Sequence, residues 1–161
     1  MKTNLHTIHT EYFDSFYPNK TKIKGRTNAR GLFYLDLSDI LTPGTKMTEE
    51  IMKEVCKQYP PNFFDIYTSH YEFWLSASAQ CNNTDNESDF FGKKLALDRL
   101  QQKAFRKAYK VYAKVILEYD KYVHNRLDEL NKLYIGSVSS YYKCSRHIED
   151  LIEHPEILFN K

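Results

Sequence analysis

The sequence predicts a mainly α-helical domain of the α+β class: a helical bundle around one long central helix, about 89–135, with a small β-hairpin near 21–37. Three observations support this. From about Asp89 to Ile135 there is no proline, and the only glycine, Gly92, lies in the first turn. Within that stretch Leu100, Ala104, Ala108, Val111, Val115, Tyr119 and Tyr122 recur at three- and four-residue steps, close to the eleven-residue period of a nearly straight helix. Residues 31–37, GLFYLDL, instead alternate, placing Phe33, Leu35 and Leu37 on one face of a short strand. The 161 residues fit a single domain, 1–161.

Taken in order, Leu5, Ile8, Tyr12, Phe13 and Phe16 are spaced as on an amphipathic helix over 4–16, ended by Pro18. Residues 21–24 can pair with 31–37 across the intervening turn, and so small a ribbon must pack on helices. Pro43 and Gly44 mark a turn before a helix at 49–59. Thr48 is its expected N-cap, Met47 and Met52 stand at staple spacing, and Pro60–Pro61 stops it. For 62–79, Phe64, Tyr67, Tyr71, Trp74 and Leu75 suit a helix, while Tyr71, Phe73 and Leu75 suit a strand. The helical pattern extends over more residues and is preferred. Polar residues at about 81–88 read as a flexible loop. On the long helix a second stripe of Phe105, Tyr109, Tyr112, Ile116, Val123, Leu127 and Leu130 widens the apolar face, as a bundle core requires. Gly136 is placed to cap it, and a last helix is expected at 138–153 before Pro155.

Apolar residues at 42% and aromatics at 15% suffice for a packed core, so wholesale disorder is excluded. No apolar run is long enough to span a membrane, and the first residues lack the pattern of a signal peptide. Cys56, Cys81 and Cys144 are too few and too scattered for a disulfide framework, so the expected setting is cytoplasmic. The glycosylation-like triplets at Asn19, Asn82 and Asn86 therefore carry no weight. Phe, Tyr, Ile, Asn and Lys outnumber Gly, Ala, Arg and Pro by 60 to 23, the bias of a low-GC genome such as that of many phages and mobile elements.

The net charge of +2 conceals segregation. Lys20, Lys22, Lys24, Arg26 and Arg30 form a basic segment with no acid among them. On the long helix Arg99, Lys103, Arg106, Lys107, Lys110 and Lys114 project as a basic stripe about 22 Å long. Such a stripe fits a polyanion, whose repeating phosphates release counterions as they are neutralised, and Tyr109 and Tyr112 could stack on unpaired bases. It also fits an acidic protein surface, or a solvated face paired with acids such as Glu49, Glu50, Glu54, Glu149, Asp150 or Glu153.

Catalytic chemistry is thinly represented. Cys144, His147 and His154 share one helical face and form a candidate zinc cluster lacking a clear fourth ligand. His6, His9 and Glu11 form a loose acid–base group, and Asp36 with Asp39 a candidate magnesium pair. Phosphate-cradling glycine loops, nucleophile elbows, the acid-x-lysine signature of many nucleases and the zinc-deaminase pattern are all missing. The expected function is therefore a small non-enzymatic accessory protein, of phage or mobile-element type, that needs no cofactor. It would dock its basic surface on nucleic acid or on a nucleic-acid-handling host complex. An inhibitor or adaptor of a host protein, and a metal-dependent hydrolase using His6, His9, Asp36 or Asp39, are the alternatives.

Overall fold

A computed structural model describes residues 4–80 and 88–155, so the loop expected at 81–88 falls almost entirely outside the described residues, as do Cys81, Asn82 and Asn86. The fold is α+β: a four-stranded antiparallel sheet packed against one long and one short helix, not a helical bundle. In chain order the elements are β1 (Leu5–Phe16), β2 (Lys22–Asp36), α1 (Lys46–Gln58), β3 (Phe63–Asp65), β4 (His70–Gln80) and α2 (Ser88–Glu153). The sheet order is β1-β2-β4-β3. The chain divides into two compact units, one ending at Tyr119 and one beginning at Asp120, with α2 running through both.

Residues 4–16, expected as a helix, form strand β1. Its register against β2 pairs Thr7 with Phe33 and His9 with Leu32, leaving Ile8 as an extra bulged residue. A second irregularity falls between Asp14 and Phe16. These breaks in the two-residue alternation produce the three- and four-residue spacing that reads as helical. β2 is one strand of 15 residues, not the far half of a small hairpin. Residues 62–79, also expected as a helix, hold β3 and β4. β4 pairs along its whole length with β2, from Arg26 opposite Gln80 to Asp36 opposite His70. Tyr67, counted toward the helix, lies 81% exposed in the connecting turn.

Alternation decides the core. Phe33, Leu35 and Leu37 are fully buried, as the sequence predicts, and Tyr71, Phe73, Ala77 and Ala79 of β4 bury the same face of the sheet. Gly31 belongs to that face too: a Cβ there would stand 2.9 Å from the buried Phe33 ring and 3.2 Å from the His9 carbonyl. α1 covers the face with Ile51, Met52 and Val55, and the Tyr71 hydroxyl donates to the Tyr59 carbonyl at the end of α1. Its N-cap is Thr45, whose hydroxyl accepts from the Thr48 N–H. Thr48, expected in that role, is instead inside the first turn and donates its hydroxyl to the Thr42 carbonyl at 2.6 Å. Loop 37–45 is stitched to turn 66–69 by bonds from Leu37 N to Ser69 O and from Gly44 N to Ile66 O.

α2 covers the rest of the face with Ala96, Leu100, Ala104, Ala108, Val111 and Val115, all nearly or fully buried. The first expected stripe is therefore core as far as Val115, while Tyr119 is 38% exposed. The second stripe is not core: Phe105, Tyr109 and Ile116 are more than half exposed, because the sheet presents one flat face rather than the encircling helices of a bundle. The expected break at Gly136 is absent. The helix continues to Glu153 with the Ser137 and Ser140 hydroxyls bonded back to the Leu133 and Gly136 carbonyls, each at 2.9 Å. Among the described residues no helix is long and apolar enough to cross a membrane.

Leu100 is fully buried where α2 meets the sheet. Leu100→Ala should cost about 2–5 kcal/mol of unfolding free energy. Urea unfolding followed by far-UV circular dichroism measures this. A loss below about 0.5 kcal/mol, the range of surface changes, would contradict the packing described.

Candidate functional site

β3 pairs with β4 only at residues 70–72, so among the described residues the outer edge of β4 from residue 73 onward has no strand beside it. Bare carbonyls on such an edge invite pairing with other chains. Here a neighbouring backbone N–H and several side chains bond the edge groups. The Asn62 N–H donates to the Glu72 carbonyl and its Oδ1 accepts from the Trp74 N–H, both at 2.8 Å. Beyond Trp74, α2 takes over: Lys103 Nζ donates to the Ser76 carbonyl and Arg99 Nη1 to the Ser78 carbonyl, each at 2.8 Å. Four-residue spacing brings Lys107 next, where Nζ donates to the Pro60 carbonyl at 3.3 Å. Its ammonium sits 4.8 Å from the Phe73 ring centroid and 5.8 Å from that of Tyr71, and burial lowers its pKa.

Half of the basic stripe is thus bonded to neutral carbonyls, two on the sheet edge and one at Pro60, with no acid paired to it among the described residues. Lys114 differs, forming a 2.9 Å ion pair with Glu118 one turn on. Arg106 is exposed and Lys110 half-exposed, and neither has a hydrogen-bond or ion-pair partner among the described residues. Of the acids that might have paired with the stripe, Glu50 and Glu54 pair within α1, with Lys46 and Lys57. Beside the charges Phe105 is 51% and Tyr109 59% exposed. Gln102, Lys103, Phe105, Arg106 and Tyr109 line an open groove of about 620 Å³. Tyr112 does not share it: the ring is half-buried and its hydroxyl, inside the protein without a partner among the described residues, has a raised pKa, chiefly from burial.

The second basic segment is mostly strand. Lys20 occupies the β1–β2 turn with φ of 66°, Lys22 pairs with Asp14 at 2.9 Å, and Arg30 pairs with Glu11. Arg30 also lies over the Trp74 ring, 5.5 Å from its centroid. Arg26 is exposed, and the side chain of Lys24 is outside the described residues. Two of these five charges, Lys22 and Arg30, are answered by β1, which brings Glu11 and Asp14 opposite β2.

The other candidate constellations are occupied by structure. His6 stacks on Tyr34 at 4.7 Å, and Tyr34 meets His70 at 5.0 Å, forming an aromatic row across three strands. His9 approaches Glu11 at 3.9 Å. Asp36 Oδ1 accepts from both the N–H and the hydroxyl of Ser38, and Asp39 accepts from the Asn4 side-chain amide at 3.0 Å. Cys144 and His147 lie on α2 in the second unit, and His154 directly follows it. Among the described residues no group of three or more His, Cys, Asp or Glu could hold a metal ion. Burial pushes the Cys56 thiol up to about 11, unlike a reactive thiolate.

The sequence located the charges of this stripe but not the groove. Phe105 looked like core because it sits at helical spacing, and only the position of the sheet shows which side of α2 faces outward. No protein-family model, curated protein or solved structure matches this chain.

Two outcomes follow from this geometry. Lys107→Glu should lower stability by about 1–3 kcal/mol, because it loses a charged hydrogen bond and sets a carboxylate against two aromatic faces. At this chain length that is about 2–4 °C of melting temperature per kcal/mol, and an unchanged melting temperature would show Lys107 to be merely solvated. The Ser38 hydroxyl, with its backbone N–H, holds the Asp36 carboxyl below its usual range. A pKa lowered in the folded state adds stability at neutral pH and loses it as pH falls through the folded value. Ser38→Ala should therefore destabilise the protein at neutral pH, with the gap to wild type closing in strong acid. A gap independent of pH in urea titrations would refute the assignment.

Proposed function

We propose that this protein is a non-enzymatic binding protein that holds single-stranded nucleic acid along the outward face of α2. The observation that carries this reading is the state of the stripe. Arg99, Lys103 and Lys107 are held in place by neutral carbonyls rather than acids, and Arg106 and Lys110 project beside them. A folded protein that needed this face only for solubility would gain from pairing it with carboxylates. A row of fixed cations with no acid partner among the described residues is instead suited to a phosphate backbone. Phe105 and Tyr109 supply exposed rings at the groove, and stacking on such rings is tolerant of sequence. The low-GC composition is consistent with an accessory role in a phage or mobile element.

Fluorescence anisotropy with labelled single-stranded DNA, RNA and duplex tests this. Wild type should bind single strands more tightly than duplex, with log affinity falling against log salt by about 0.7 per phosphate neutralised. Arg106→Glu and Lys110→Glu should each weaken binding and flatten that slope, with circular dichroism unchanged. Tyr109→Ala should cost about 1–3 kcal/mol of binding, the range found for one stacked base. Absence of binding at low salt would sink the proposal, as would reversals that bind like wild type. Capture of an acidic protein that depends on Arg106 but survives nuclease would replace it with the protein-docking reading.

A further inference from the structure

The second compact unit contains one described helix, the part of α2 from Asp120 to Glu153, and most of its apolar residues lie open, while Tyr122, Val138 and Leu151 are half-buried. Val123 is 37% exposed, Leu127 51%, Leu130 61%, Tyr134 69%, Tyr141 67% and Ile148 55%. Their spacing differs from that of the buried stripe upstream. With Leu127, Tyr134, Tyr141 and Ile148 as the a positions of a heptad, Val123, Leu130, Ser137, Cys144 and Leu151 fall at d. Seven of these nine are apolar or aromatic, and the run covers about four heptads, the length at which such a pattern specifies a coiled coil. Where α2 packs on the sheet the repeat is near the eleven-residue period, and beyond Asp120 it changes to 3.5, the period of two helices wound on each other.

The charges leave an identical helix free to pair. Ten Lys, Arg, Asp and Glu residues lie between Lys121 and Glu153, and nine of them occupy the outward b, c and f positions. The exception is Arg126 at g, and its guanidinium bonds Glu129 of its own helix at 2.7 Å. The flanking e and g positions otherwise carry His124, His147 and uncharged residues, including Leu133 and Ile152, both exposed. His124 turns to Asp120 on the same helix at 3.3 Å. Complementary e and g charges are what directs a helix toward a different partner, and like charges there are what keep identical helices apart. This seam has neither feature. Ile135 and Tyr142 are exposed at b positions and lie outside it.

We infer that the heptad face of α2 from Val123 to Leu151 pairs with the same face of a second copy of this chain, making the protein a coiled-coil homodimer. Sedimentation equilibrium of the full chain should give twice its 19.1 kDa mass. Leu127→Lys with Leu130→Lys, and separately Tyr141→Lys with Ile148→Lys, should each shift the protein to one chain. Both pairs lie outside the unit that holds the sheet, and urea unfolding of the core should be retained. Lys132→Glu, at an outward f position, should leave the dimer intact. A wild-type monomer at high micromolar concentration overturns the inference. A dimer that survives both lysine pairs overturns it equally, because association would then use another surface.

Discussion

The first unit depends on a constraint of its sheet. An antiparallel sheet with one apolar face must have that face covered, and here β2 and β4 concentrate Phe33, Leu35, Tyr71 and Phe73 on it, all essentially inaccessible. α1 and α2 provide the cover. On α2 the buried face combines small residues, Ala96, Ala104 and Ala108, with Leu100, Val111 and Val115. Gly31 applies the same logic within the sheet, where the Phe33 ring leaves no room for a methyl group. The opposite face keeps half-exposed residues such as Leu32, Tyr34 and Glu72, in line with their alternate positions.

Covering the face with α2 also determines where the basic side chains go. A helix laid beside the free edge of β4 presents every fourth residue to that edge, so Arg99, Lys103 and Lys107 reach backbone carbonyls without leaving helical geometry. Long cationic side chains suit this task because their apolar stems cross the sheet margin while their heads find an acceptor. One set of residues thus blocks the sheet edge and builds a positive surface. The two roles share side chains unequally: Lys107 is drawn inward against Phe73, while Arg106 and Lys110, one face further round, remain available to a partner. This division explains why the stripe cannot be treated as six equivalent charges.

Legibility in the sequence tracked how regular each element is. The alternation within 31–37, the short helix before Pro60 and the sheet-packed part of α2 were readable because their periods are unbroken. β1 was not, since the bulge at Ile8 and the irregularity after Asp14 convert a two-residue alternation into helical spacing. β4 was obscured differently. Its alternation continues from Tyr71, Phe73 and Leu75 into Ala77 and Ala79, and alanine gives little sign of strand or burial although both are buried here. For the candidate site, the cations were legible as a stripe, but their acceptors are backbone carbonyls, which no side-chain pattern records. The exposed side of α2 was equally hidden, because Phe105 and Tyr109 look like core until the position of the sheet is known.

The error over the helix boundary is instructive for the same reason. Gly136 resembles a C-cap, yet in α2 it is an interior residue with nothing within 4 Å of where a Cβ would stand. A glycine weakens a helix interior by roughly 0.5–1 kcal/mol relative to alanine, too little to end a long helix. What separates the two parts of α2 is the repeat itself, near eleven residues where a flat sheet is the partner and seven beyond Asp120. The apolar period of a helix follows the curvature of the surface it meets. In the proposed dimer a single uninterrupted helix that changes period thus serves two different surfaces, the sheet of its own chain and the same helix of a second copy.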